Sequence, residues 1–176
     1  MRLEIAQELA HGIRNQLAAH CERIEIAGSI RRRKADDIKD VEIVCIPKPY
    51  GVGLFRSGIA SVIDQWTKVR GDLPCKYTQR RYEYFRRNEE GETLRGKVNV
   101  DIFFATPENW GLILAIRTGS AEYSHHVLAH GWVKKGYHSK DGVLINDRGN
   151  KVSVAEEADL YRLIGLQWIS PDKRNL

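Results

Sequence analysis

No apolar run in the chain approaches the roughly 18 residues that a membrane-spanning helix needs. Cysteine is scarce: Cys21, Cys45 and Cys75 are odd in number, far apart in sequence and without a CxxC pair. That pattern excludes a disulfide frame and a cysteine zinc site. It reads as free thiols in a reducing compartment, cytoplasmic or otherwise intracellular. No leader is evident either, because the opening stretch MRLEIAQELAHGIRNQL is amphipathic and carries acids, unlike a signal or transit peptide. Internal repeats and low-complexity segments are also absent.

What remains is a globular chain of 176 residues, one domain of common size or two small ones, with a formal net charge of +5. A basic balance favours a polyanionic partner, although many basic proteins bind none. Ile5, Leu9, Ile13 and Leu17 recur at helical steps, which predicts an amphipathic helix over 3–20. RIEIAG (23–28) and VEIVCIP (41–47) read as strands, and residues 59–69 as a helix. KVNVDIFFATP (97–107) is the clearest strand; Val98, Val100 and Ile102 face one side, Asn99, Asp101 and Phe103 the other. After Thr106-Pro107 the pattern becomes helix, helix, hairpin and helix, placing a boundary near residue 107.

Two features carry chemistry. Asp40 and Glu42 are two residues apart on a strand, so both carboxylates point one way. Such a pair repels itself unless a cation lies between. Asp101, an acid on an otherwise apolar strand, would complete an oxygen cage suited to Mg2+ if its strand neighbours theirs. Alone, the acid pair reads as a solvated sheet edge and Asp101 as a partly exposed salt-bridge partner; only the combination points to a metal. About a dozen residues earlier, Gly28-Ser29 follows a strand and precedes Arg31 and Arg32. There backbone N–H groups, a hydroxyl and guanidinium groups would meet a phosphate.

The segment GSIRRRKADDIKDVEIV (28–44) resembles the nucleotidyltransferase signature of family X DNA polymerases, a GS-x-RR turn before an acid-x-acid strand, with a third Asp on a later strand. RTGSAEYSHHVLAHGWVKKGY (117–137) is similar to the family's TGS helix start, and the tail SPDKRNL to its closing Pro-x-x-Arg segment. The resemblance covers roughly residues 20–46 and 97–176 and implies an α/β protein. Its nucleotidyltransferase-type palm, with a mixed sheet and helices on one face, would occupy residues 1–106. A small α+β thumb that binds nucleotide and DNA would occupy 107–176. By position, Asp40, Glu42 and Asp101 would be the catalytic metal ligands. Asp101 would also help deprotonate the primer 3′ hydroxyl. Gly28, Ser29 and Arg32 would hold the triphosphate, Gly119 and Ser120 would lie along the sugar, and Tyr123 would pack near it.

Several positions depart from the family pattern. Glu42 replaces the usual Asp, Lys39 a frequent Gly, and the loop before Asp40 is longer than the family's by one residue. Ile116-Arg117 stands where repair members often have Tyr-Phe, so the usual ribose exclusion is not implied. Ala121 and Ser124 replace residues that touch the base and minor groove. No lyase or helix-hairpin-helix segment is recognised ahead of the palm, which fits a minimal palm-plus-thumb form. GVGLFRSGIA (51–60) reads as an ordinary loop.

The resemblance implies a DNA-directed DNA polymerase. It would add dNMP from a dNTP to a primer 3′ end at a gapped or nicked duplex with two Mg2+ ions, Mn2+ being a possible substitute. The chain would act as a monomer, away from membranes. Arg80 and Arg81, in the basic and aromatic stretch 75–87, and Lys134, Lys135, Lys173 and Arg174 would extend a track for DNA phosphates, or would be surface charges. His126 and His130 have metal-pair spacing and stand beside His125. With no third ligand evident, the cluster reads as a solvent- or DNA-facing patch. An untemplated or other-substrate nucleotidyltransferase, and a non-catalytic DNA-end-binding module, are the alternatives.

Overall fold

The computed structural model describes residues 1–35, 37–49, 58–71, 76–87 and 90–176. Helix α1 spans Leu3–Ala18 and buries Ala6, Ala10, Ile13 and Leu17. The expected Ile5 and Leu9 flank this stripe and are only half-buried, because the two alanines let the helix axis approach the sheet. Strand β1 (Cys21–Ile26), the short helix α2 (Gly28–Arg31) and strand β2 (Asp40–Pro47) follow. Helix α3 covers Ile59–Ile63, and strands β3 (Thr67–Arg70), β4 (Tyr77–Arg87) and β5 (Thr93–Phe104) complete the large sheet.

The strand order is β1-β2-β5-β4-β3, with β2 and β5 parallel and the other pairs antiparallel. The sheet is therefore mixed, and the fold is α/β. The helix expected over 59–69 ends at Ile63, since β4 takes Thr67–Arg70, with its β-branched Thr67 and Val69, as an edge partner. The stretch 77–87 is accordingly an interior strand; Cys75 and most of GVGLFRSGIA lie outside the described residues.

Alternation along the strands divides the sheet into two faces. On the back, Val41, Ile43, Val98, Val100 and Ile102 pack with α1 and α3 into one core. On the front, Val44, Ile46 and Phe103 pack with Trp110 and Leu114 of helix α4 (Trp110–Thr118). Within residues 1–106 the helices thus pack on one face, and α4, from the C-terminal stretch, covers part of the other. Toward the start of β2 the front is left to Asp40 and Glu42. Cys21 and Cys45, distant in sequence, meet on neighbouring strands as buried free thiols; their mutual hydrogen bond holds the Cys21 thiol below its ordinary range.

The rest is a small α+β unit. A continuous helix starts at α5 (Ala121–Tyr123), widens to a π-helical segment (Ser124–Ala129) and ends in α6 (His130–Lys134). Strands β6 (His138–Lys140), β7 (Val143–Ile145) and β8 (Lys151–Val152) form an antiparallel sheet, so the expected hairpin gains a third strand. Helix α7 (Glu157–Ile164) opens with a Glu156–Asp159 capping box. Leu112, Leu128, Trp132, Leu144, Leu160 and Tyr161 are among the residues of its separate core.

Candidate active site

The register pairs Asp40 with Asn99 and Glu42 with Asp101, all on the front face. Gln79 of β4 pairs with Asp101 from the other side. Asp101 is nearly buried, and its Oδ1 accepts from the Tyr77 hydroxyl at 2.5 Å and from Gln79 Nε2 at 2.8 Å. No described residue donates to Oδ2, the oxygen left for the site. The Tyr77 hydroxyl is pushed up to about 12 by burial and by its bond to Asp101.

The other two acids carry the cost of their grouping. Burial, and then the Asp101 charge, raise Asp40 above its ordinary value. Burial, followed by the charges of Asp40 and Asp101, pushes Glu42 up to about 7 against the pull of Arg117 and Arg32. Partly buried carboxylates brought onto one face raise one another in this way. The donor set is all oxygen, the chemistry that suits Mg2+ or Mn2+; the three acids share a face, but they are not among the described groups whose ligand atoms already converge.

Glu42 also explains the glycine before it. Gly28 has φ +61, and a Cβ there would lie 1.7 Å from Glu42 Oε2. The longer side chain thus folds back onto the Gly-Ser turn, which only glycine permits. Past the turn the arginines diverge. Arg32 donates from Nη1 to the Thr118 carbonyl at 2.7 Å and from Nε to Asn175 Oδ1 at 2.8 Å. Burial lowers its pKa, with the Glu42 charge opposing. Arg31, placed by sequence on a phosphate, instead forms a two-point pair with Glu157 and donates to Thr118 Oγ1 at 2.6 Å.

A cleft of about 350 Å³ is lined by Arg32, Glu42, Ile116, Arg117, Gly119, Ser120, Ala121 and Ser124. Gly119 sits tightly there; a Cβ would meet Ser124 Oγ at 2.7 Å and the Tyr123 ring at 2.8 Å. The Ser120 hydroxyl caps the next helix by accepting from the Tyr123 N–H at 3.0 Å. Tyr123 is not open to this cleft. Its ring is buried and its hydroxyl hydrogen-bonds that of Tyr161 at 2.9 Å, so it supports the turn from below.

The expected DNA contacts need correction at two positions. Arg174 is fully buried, and its Nη1 donates to Glu157 Oε1 at 2.5 Å. Arg80 is 4% exposed on the back face and pairs with Asp64 at 3.4 Å. Neither reaches a phosphate, because alternation and packing turn both inward. Arg81, Lys134, Lys135 and Lys173 are exposed. Sequence reasoning missed Tyr77 and Gln79, whose relation to Asp101 depends on strand register. It also missed Arg117, which stacks 4.0 Å over Phe103 and sends its charge toward Glu42. Its place directly before Thr118-Gly119-Ser120 was the one available signal.

Geometry therefore defines an α/β protein with a carboxylate-bearing sheet face and an arginine-flanked cleft against a C-terminal unit. Residues 113–175 match the family model of the DNA polymerase beta thumb, a stretch that runs from within α4 to the tail and includes Arg117, Gly119, Ser120, Glu157 and Arg174. The C-terminal unit is thus thumb-like and the chain polymerase-like there; the match does not reach the three carboxylates. No curated protein matches the chain. No helix among the described residues is long and apolar enough to cross a membrane.

Proposed function

We propose that the chain is a DNA-directed DNA polymerase of family X type that transfers dNMP from a dNTP to a primer 3′ end, filling short gaps in repair. The observation that carries this reading is the grouping of Asp40, Glu42 and Asp101 on one sheet face beside the Arg32–Ser120 cleft, next to a segment similar to a polymerase thumb. Two Mg2+ ions, or Mn2+, held by the three carboxylates would supply charge neutralisation and Lewis acidity for in-line displacement.

The chain's own groups then have defined tasks. Tyr77 and Gln79 fix the Asp101 carboxylate, leaving Oδ2 to take the proton of the primer 3′ hydroxyl. The 3′ oxygen bonds to the α-phosphorus as the bond to the bridging oxygen breaks and pyrophosphate leaves. Arg32, with the Gly28-Ser29 turn, holds the triphosphate and the charge that gathers on the leaving group. Arg117 adds positive charge to the same cleft. Gly119 and Ser120, which line the same cleft, lie along the sugar.

The test is extension of a primer across a one-nucleotide gap with each labelled dNTP in turn, with Mg2+, with Mn2+ and with chelator. The reading expects metal-dependent addition of the complementary nucleotide. Equal addition of all four nucleotides opposite one template base would establish the untemplated reaction instead. Duplex binding without any incorporation would reduce the chain to a DNA-end-binding module.

A further inference from the structure

We propose that His125, His126 and His130 form a binding site for a borderline divalent transition metal, Zn2+ in the first instance, on the exposed side of the thumb-like helix. The site does not depend on the polymerase reading.

Helix geometry makes the case. In a regular α-helix His130 stands over His126, while His125 points elsewhere. Ser124–Ala129 is π-helical, and the His130 N–H reaches back to the His125 carbonyl five residues earlier. That wider turn brings His125 beneath His130 as well and supplies the third ligand. The ring centroids of the three histidines lie 4.8, 5.0 and 5.4 Å apart. Their ligand atoms all lie within 4.8 Å of one another.

All three side chains are exposed, and none makes a hydrogen bond or ion pair with another described residue. Their nitrogens are therefore not committed elsewhere. A tetrahedral ion with bonds of about 2.0–2.1 Å spaces its ligands about 3.3 Å apart. Exposed imidazoles close the remaining distance by small rotations about χ1 and χ2. Three neutral nitrogens suit Zn2+, Co2+ or Ni2+ and not Mg2+, which separates this site chemically from the carboxylates. A fourth position stays open to water. Bound metal would tie the two ends of the π segment together and hold Ser124, whose hydroxyl donates to the Ile116 carbonyl at 2.9 Å beside the cleft.

The test is titration of the whole chain with Co2+ and then Zn2+, in excess Mg2+, followed by visible absorption and by thermal melting. Wild type should take up one Co2+ with the bands of a nitrogen-ligated four- or five-coordinate ion, lose them to Zn2+, and melt at a higher temperature with Zn2+. His126→Gln and His130→Gln, both surface changes, should each weaken uptake at least about tenfold and abolish the melting shift. Asp40→Asn should retain both signals. Uptake only at millimolar metal, uptake unchanged in both histidine variants, or uptake lost in Asp40→Asn but kept in those variants would overturn the proposal.

Discussion

Arg31 and Glu157, far apart in sequence, form a two-point ion pair, Nη1 to Oε1 at 2.8 Å and Nη2 to Oε2 at 2.9 Å. The pair fastens the Gly-Ser turn of the sheet unit to the first turn of α7. Glu157 also receives Arg174 of the tail, and Arg31 and Arg32 both bond Thr118, the residue before Gly119. One buried carboxylate therefore sets the distance between the turn expected to hold phosphate and the turn expected to hold sugar.

Glu157→Ala should cost about 3–5 kcal/mol, because it leaves the buried Arg174 and the half-buried Arg31 without their anion. Burial alone would raise Glu157, but hydrogen bonds from Arg31 and Arg174 outweigh it and hold the carboxyl below its ordinary value. A depressed carboxylate stabilises the fold above the unfolded-state value, near 4.5, and the benefit fades as pH falls through the folded-state value. Urea melts from pH 7 down to pH 3 should show wild type losing stability more steeply than Glu157→Gln.

Gly28→Ala meets both a left-handed φ and the Glu42 carboxylate. The backbone strain alone should cost about 1–2 kcal/mol. Glu42→Asp withdraws the colliding oxygen, so the double variant should recover part of the loss but not the backbone share. Chemical denaturation of the four proteins of this cycle measures the coupling.

Glu42 carries an opposite pH signature. Its folded-state value, about 7, lies above the ordinary 4.5, so the native state binds more protons between those values and stability falls as pH rises through them. Glu42→Gln should be more stable than wild type at pH 8 without divalent cation, by on the order of 2 kcal/mol. In wild type, Mg2+ binding should release about half a proton from Glu42 at pH 7 and roughly one near pH 6, read as buffer-dependent heat in calorimetry.

For DNA, Lys134→Glu with Lys135→Glu should weaken duplex binding uniformly across sequences. Each lost phosphate contact should lower the slope of log affinity against log salt by about 0.9. Arg80→Leu and Arg174→Leu should leave that slope unchanged and lower stability instead. A slope that responded to Arg174 and not to the lysines would contradict the burial pattern.

The sequence was most readable where a property is local. Asp40 and Glu42 share a face because alternation requires it, and Gly28-Ser29 turns because the strand ends there. Asp101 was readable as an acid on an apolar strand, yet Tyr77 and Gln79 were not, since pairing β4 to β5 fixes them and no local pattern encodes that register. Charge misled at Arg31, Arg80 and Arg174, because a sequence records an arginine without its burial or its partner. His125 was visible beside His126 and His130 but not readable as a ligand, since α-helical spacing turns it away and only the π segment brings it back.

The central claim is most directly tested at Asp101, by single-turnover insertion of one dNMP into a one-nucleotide gap with Mg2+. Wild type should insert the complementary nucleotide, and Asp101→Asn, a near-isosteric change, should slow insertion by at least about a hundredfold while leaving duplex binding intact. Tyr77→Phe, which removes only the orienting bond, should slow it less, with the dNTP concentration for half-maximal rate little altered. Insertion by Asp101→Asn at the wild-type rate would contradict the account.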